Sequence, residues 1–297
     1  MFDTRTFIDI VPSTCFQYQW NYADNISVQP GGKGVNISKA LKSFGKNCET
    51  YIVLGKENAE RFENLMDIPY IPIYAEGKIR ENITIHSDLN PETRISLDNF
   101  CLSDDRLKEI ATSIVNACDE NTIVTITGRM PKGISDDAIH ELCNEIKAKN
   151  AKLVIDSNSF SLDMLTDIKP WLIKPNEEEI SRFFRSCHTL AEAEEIAKIL
   201  NGEGIENVMI SMGKLGIAYA GNSENFSIKS PAINALSTVG AGDSAISGFI
   251  YAYSNNLEAL SCVQYACAFG SASCLTEGSL PPLKEDVIEL LEKIKQM

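Results

Sequence analysis

Histidine is scarce in this chain, with three in 297 residues: His86, His140 and His188. They lie far apart from one another, so no zinc centre is expected. The nine cysteines contain no C-x-x-C pair. An odd number scattered through apolar segments points to reduced, mostly buried thiols and a cytoplasmic setting. Positive charge is also short: 27 Lys and Arg stand against 41 Asp and Glu, a net charge of −14. That balance argues against nucleic acid or an anionic membrane as partner. It also makes each cation beside a candidate anion site informative. No apolar run approaches the ~20 residues of a membrane span. The basic-then-apolar pattern of a signal peptide is missing too, so no leader is expected.

What the chain does have is a rhythm. With 44% apolar residues it can bury the core of one large domain or two smaller ones. After about residue 100, short β-rich runs alternate with amphipathic stretches. Residues 122–127, 153–155, 171–173 and 208–210 read as buried strands, and 136–149 and 191–200 as helices. The alternation predicts an α/β fold with a mostly parallel sheet flanked by helices. In such sheets ligands sit beyond the carboxyl ends of the strands. Gly128, Arg129, Asp156, Lys174, Asn176, Ser211 and Gly213 all follow strand ends. Residues 10–30 and 79–100 break the rhythm: they are β-prone, polar and too long for ordinary connections. They predict a small second sheet acting as a lid, over a core made of residues 1–9, 31–78 and 101–297.

Two glycine-rich segments carry the chemistry. In Thr238-Val-Gly-Ala-Gly-Asp243 a small-residue loop runs into an apolar helix. Backbone N–H groups turned outward by this loop, with the helix dipole, make a site for an anion. Asp243 sits against that site, and it is either a helix cap or a base that takes a proton from a hydroxyl. In Gly31-Gly-Lys-Gly-Val-Asn36 the glycines admit a ligand close to the backbone. Lys33 supplies a charge and Asn36 a two-way hydrogen-bonding group. The G-K-[ST] of a Walker A loop is absent.

Together these segments resemble the two signatures of the PfkB/ribokinase carbohydrate kinases. Lys174-Pro-Asn-Glu-Glu-Glu179 resembles the family's K-P-N-x-x-E segment, and Ser211-Met-Gly-Lys-Leu-Gly216 its nucleotide loop. The resemblance implies a ribokinase-like, Rossmann-type core, a β lid that often serves as a dimer clasp, and ATP with Mg²⁺ as cofactors. It implies Asp243 as base and Gly240, Ala241 and Gly242 as the cradle for the transferring phosphoryl group. Lys174, Asn176, Ser211, Gly213 and Gly216 would bind the nucleotide. Glu179, through water, and Asn176 would serve the metal.

Within the family the chain is similar to the hexose-phosphate branch, the 1-phosphofructokinase and tagatose-6-phosphate kinase group. Gly77-Lys-Ile-Arg-Glu-Asn82 resembles that branch's G-x-T-R-x-N. Substrate contacts are then implied for Asp9, Gly32, Lys33, Asn36, Arg80, Asn82 and Arg129. Three departures stand out: Thr6-Phe7 replaces the Asn-Pro ahead of Asp9, Arg129 replaces a serine in Gly128-Arg-Met-Pro-Lys-Gly133, and Asp98-Asn99 replaces a G-P turn. The expected activity is phosphorylation of a ketohexose monophosphate, fructose 1-phosphate first. Tagatose 6-phosphate or fructose 6-phosphate comes next, then a neutral sugar, and last an inactive sugar or nucleotide sensor.

Overall fold

The computed structural model describes residues 5–12, 23–87, 90–97, 100–221 and 223–297. In chain order the strands are β1 (Arg5–Pro12), β2 (Ala23–Gly31), β3 (Tyr51–Gly55), β4 (Ile71–Ala75), β5 (Arg80–Ser87), β6 (Asn90–Ser96), β7 (Ile123–Thr127), β8 (Lys152–Asp156), β9 (Leu172–Ile173), β10 (Asn207–Ser211), β11 (Gly216–Gly221) and β12 (Glu224–Lys229). The helices are α1 (Lys33–Ser43), α2 (Ala59–Glu63), α3 (Asp104–Asn116), α4 (Asp136–Ala148), α5 (Leu162–Ile168), α6 (Glu177–Phe183), α7 (Leu190–Gly202), α8 (Ala241–Tyr253), α9 (Ala259–Ser273) and α10 (Lys284–Lys295).

Six strands form the core sheet in the order β12-β11-β10-β9-β8-β7. From β7 to β10 they run parallel, and β11 and β12 return antiparallel. Side chains alternate along each strand, so the sheet feeds two cores. Leu153, Ile155, Val208 and Ile210 pack with Leu142 of α4 and Ile196 of α7. Val154, Met209, Ile217 and Tyr219 pack on the other face with Phe249 of α8, Phe269 of α9 and Leu290 of α10. Burial on both faces is why these strands read as continuous apolar runs. Ser103, Ser135 and Ser161 cap α3, α4 and α5, each accepting a backbone N–H three residues on. Each cap contributes ~1 kcal/mol. The predicted helices at 136–149 and 191–200 correspond to α4 and α7.

The start of α8 is held by close packing along its length. A Cβ on Gly248 would come within 2.4 Å of the Tyr265 carbonyl oxygen. Backbone therefore meets backbone between α8 and α9, and only glycine fits there.

A separate four-stranded sheet has the order β2-β1-β5-β6. It contains β5 and β6, from the 79–100 segment read as β-prone, and it also takes residues 5–9, which the sequence assigned to the core. The physical reason is pairing. One edge of β1 is used antiparallel by β2 and the other parallel by β5, leaving no edge for the core sheet. Asp9 stands opposite Ser27 and Thr84 in these ladders, and its side chain lies outside the described residues. So does the Asp98-Asn99 turn. Strands β3 and β4 form a third, parallel pair. A cavity of about 420 Å³ is lined by Tyr51 of β3, Ile126 of β7, Ile37 and Leu41 of α1 and Ile146 of α4, among others. Among the described residues no helix is long and apolar enough to cross a membrane, and the described cysteines are all free thiols.

Candidate active site

The carboxyl ends of β8 and β9 and the amino ends of α1 and α8 bring together side chains far apart in sequence. Gly240 takes a left-handed conformation (φ +79°) as the residue before α8. This turns the chain so that α8 starts with Ala241, Gly242 and Asp243 in its first turn. Asp243 is buried. Its Oδ2 accepts a 2.7 Å hydrogen bond from Nδ2 of Asn36, one turn into α1. Lys33, the first residue of α1, reaches across to Asp156 at the end of β8, with Nζ 3.0 Å from Oδ2. The same Nζ lies 4.0 Å from Oε1 of Glu179. Lys174, just after β9, approaches the other oxygen of Asp156 at 3.7 Å. A cavity of about 350 Å³ beyond these strand ends is lined by Asp156, Ser157, Lys174 and Glu179, among others.

The charges set one another. Burial pushes the Asp243 carboxyl up to about 6; Lys33 pulls it down, Asp156 pushes it further up, and the Asn36 bond and Lys174 pull it down. Burial likewise pushes Asp156 up, but Lys174 and Lys33 outweigh it and hold this carboxyl below its ordinary value. For Lys33, burial works against the charge, and Asp156, Asp243 and Glu179 together raise it above the usual lysine range. A buried carboxylate near pH 6 beside an anion cradle can take a proton from a hydroxyl at neutral pH.

The sequence-predicted residues divide. Lys33, Asn36, Lys174, Gly240, Ala241, Gly242 and Asp243 lie in one cluster, with Gly32 as the residue before α1. Glu179 touches it through Lys33. Arg80 and Asn82 are buried on β5 of the four-stranded sheet. Ser211 ends β10, where its hydroxyl donates to the Pro175 carbonyl at 3.4 Å. Gly213 opens a single 3₁₀ turn, and Gly216 begins β11. Arg129 is exposed on the loop after β7, and no contact joins it to the cluster among the described residues.

Sequence reasoning named Asp156 among the residues at the strand ends but gave it no role in the constellation. It missed Gln29, whose Oε1 accepts from the N–H (2.9 Å) and hydroxyl (3.0 Å) of Ser279. Ser279 lies about one van der Waals contact from Gly240, 3.9 Å from where a Cβ there would be.

Three buried polar atoms have no hydrogen-bond partner among the described residues: Oδ1 of Asn36, Oδ1 of Asn82 and Oγ1 of Thr127. Such atoms are rare and ask for a ligand or water. The cradle is equally specific, since a Cβ on Gly242 would fall 3.0 Å from Nζ of Lys174. The Ala241 N–H is already engaged by the Thr238 carbonyl at 3.4 Å, so a phosphate group would meet the rest of the turn on one side and the Lys174 ammonium on the other.

The metal donors are fewer. Asn176 and Glu179 form a capping box on α6: Oδ1 of Asn176 accepts from the Glu179 N–H, and Oε2 of Glu179 accepts from the Asn176 N–H. Oε1 of Glu179 lies 4.0 Å from Lys33 Nζ, and Glu179 lines the cavity. Among the described residues no cluster of three or more His, Cys, Asp or Glu is arranged to hold a metal. A single carboxylate oxygen suits Mg²⁺, which keeps several waters and takes phosphate oxygens as ligands.

The fold is that of a sugar kinase. Residues 5–286 match the pfkB family carbohydrate kinases. The chain is 31% identical to the 1-phosphofructokinase of Haemophilus influenzae over 284 residues, covering 93% of this chain and 90% of that protein. It is 31% identical to the 1-phosphofructokinase of Borreliella burgdorferi over 281 residues, with the same two coverages, 93% and 90%. Phosphofructokinase-2 from Escherichia coli, solved in complex with substrates and products, superposes with a TM-score of 0.90 at 20% identity, covering 99% of this chain and 97% of that one. The chain belongs to the pfkB family of carbohydrate kinases.

Proposed function

We propose that this protein is an ATP-dependent 1-phosphofructokinase, moving the γ-phosphoryl group of ATP to a hydroxyl of fructose 1-phosphate. The observation that carries the reading is the meeting of Asp243, raised to about 6, with Asn36 and the cradle at the start of α8. Kinship with curated 1-phosphofructokinases over most of the chain narrows the acceptor.

Asp243 takes the proton from the acceptor hydroxyl as it attacks. Asn36 orients Asp243 with its amide N–H and leaves Oδ1 for a sugar hydroxyl. Lys33, with Arg80 and Asn82, faces the sugar phosphate. Asp9, Gly32 and Arg129 complete this substrate side in the reading. The N–H groups after Gly240 and the Lys174 ammonium receive the charge that grows on the phosphoryl oxygens. Asn176, Ser211, Gly213 and Gly216 border the nucleotide. Magnesium, when bound through water at Glu179 Oε1, would neutralise part of the triphosphate charge. Residues 10–30 and 79–100 form the lid in this reading, extended by 5–9. Its exposed Ile26 and Ile95 (64% and 43%) offer an apolar face for a homodimer. The enzyme would work in the cytoplasm, in keeping with its free thiols.

The test is ADP release, coupled to a reporter enzyme, with fructose 1-phosphate, fructose 6-phosphate, tagatose 6-phosphate, fructose and ribose. Fructose 1-phosphate is expected to give the highest kcat/KM. A higher value for either 6-phosphate moves the assignment within the hexose-phosphate branch. Turnover of fructose or ribose alone rejects the phosphosugar reading.

A further inference from the structure

Asp156 engages two lysines at once, and they come from opposite sides of the site. Lys33 belongs to the amino end of α1, beside Asn36 and Asp243, and Lys174 to the loop after β9, against Gly242 of the cradle. Oδ2 takes the first at 3.0 Å and Oδ1 faces the second at 3.7 Å. The main-chain carbonyl of Asp156 adds a 3.3 Å bond from Lys33 Nζ and a 3.1 Å bond from the Gly128 N–H. The Asp156 and Lys174 side chains are only 2% and 4% exposed. The Lys33 side chain is 23% exposed, so water only partly screens the repulsion between the two ammonium groups, and a buried anion between them is what lets them stand together.

We propose that Asp156 is a positioning residue for phosphoryl transfer: it holds Lys33 and Lys174 as a fixed cationic pair, one on the sugar side and one on the nucleotide side of the phosphate cradle. The inference rests on the kinase reading above. In the free enzyme the Asp156 carboxylate is the counter-charge. When phosphates arrive, their oxygens share ammonium groups that are already placed, so little reorganisation remains for the chemical step. Asp156 itself touches neither reacting oxygen in this scheme.

Asp156→Asn in the full-length enzyme tests the assignment by three readouts. First, kcat with fructose 1-phosphate should fall at least ~100-fold, as expected when catalytic groups shift by about an ångström, with the KM for ATP not raised. In a double-mutant cycle with Lys174→Met the joint loss should be no greater than the larger single loss. Second, the acid limb of kcat/KM should move to lower pH, because a negative charge that disfavours ionisation of Asp243 is gone; general loosening has no reason to move it in that direction. Third, the rise in melting temperature on adding ATP should exceed that of wild type, because the phosphates replace the lost counter-charge.

A kcat near wild type, additive losses in the cycle or an unmoved acid limb would overturn the proposal. The melting comparison needs no sugar. An ATP-induced shift no larger than that of wild type overturns it whatever the acceptor, whereas failure of the wild type on every phosphosugar counts against the acceptor alone. If the Asn variant does not fold, Asp156→Glu keeps the charge and displaces it by one methylene. It should fold, keep the acid limb and lose ~10-fold or more in kcat. Full wild-type kcat in that variant overturns the requirement for position.

Discussion

Asp156 and Asp243 are both buried carboxyl groups in one site, and their surroundings drive them apart. Asp156, at the end of β8, lies between two lysine ammonium groups and stays ionised well below its ordinary range. Asp243, at the start of α8, has a neutral amide as its hydrogen-bond partner and is lifted to about 6. Burial acts on both in the same direction, so the difference lies in who stands next to each. Cations against the carboxylate make a fixed charge. An amide against it, with cations at a remove, makes a group that exchanges a proton near neutrality. The lesson is that a second carboxylate in such a site is informative even when it does no proton transfer, because its charge helps tune the first.

The largest expected effect removes the titrating member. Asp243→Asn should lower kcat ~10³–10⁴-fold with ATP binding kept, read by steady-state turnover and calorimetric titration. Retained turnover would end the distinction between the two carboxyl groups. The same variant has a stability signature. A folded value of about 6, against 3.8 for the free side chain, means that ionising Asp243 costs the folded state stability. That stability is fully present below about pH 4 and is lost as pH rises through about 6. Asp243→Asn should therefore raise the melting temperature at pH 8 and leave it unchanged at pH 4. The difference corresponds to about 3 kcal/mol.

Next in size comes Arg80→Ala, which should raise KM for the sugar phosphate ~10–100-fold and leave that for ATP unchanged. Equal changes in both would assign Arg80 to the packing of the four-stranded sheet. Lys33→Met sharpens the contrast from the other side. Lys33 lowers Asp243, so its loss should move the acid limb of kcat/KM, expected near pH 6 in the wild type, to higher pH. The smallest effect is expected from Gly242→Ala. The new Cβ would stand 3.0 Å from Lys174 Nζ, and a ~10-fold loss of kcat should follow as the ammonium gives way. An unaffected rate would show that Lys174 is not tightly held.

How much of this was legible in the sequence depended on whether the information was local. The parallel core was readable because strands buried on both faces show as short apolar runs, as in Leu153-Val-Ile155, and because helices such as α4 carry period and cap together. Lys33, Asn36 and Asp243 were readable because each sits in a glycine-rich turn whose backbone demands are written in adjacent residues. Asp156 was noted at a strand end but given no role, since a carboxylate there gains its meaning only from lysines 123 positions before it and just beyond the next strand. The signal was there in outline: a charged residue closing a buried apolar run at the ligand-bearing edge of the sheet. The placement of residues 5–9 failed for the same cause. Which sheet a strand joins is decided by the free edges of β2 and β5, and nothing within Phe7-Ile8-Asp9 states that choice.

The bond pair between Gln29 and Ser279 has a mechanical side. Gln29 stands near the end of β2, and Ser279 on the loop between α9 and α10, beside Gly240. Any swing of the four-stranded sheet about its base must either break both bonds or drag that loop with it. The tie therefore works as a strut: it stiffens small excursions, yields at a definite load, and passes displacement of the outer sheet to the turn that begins α8.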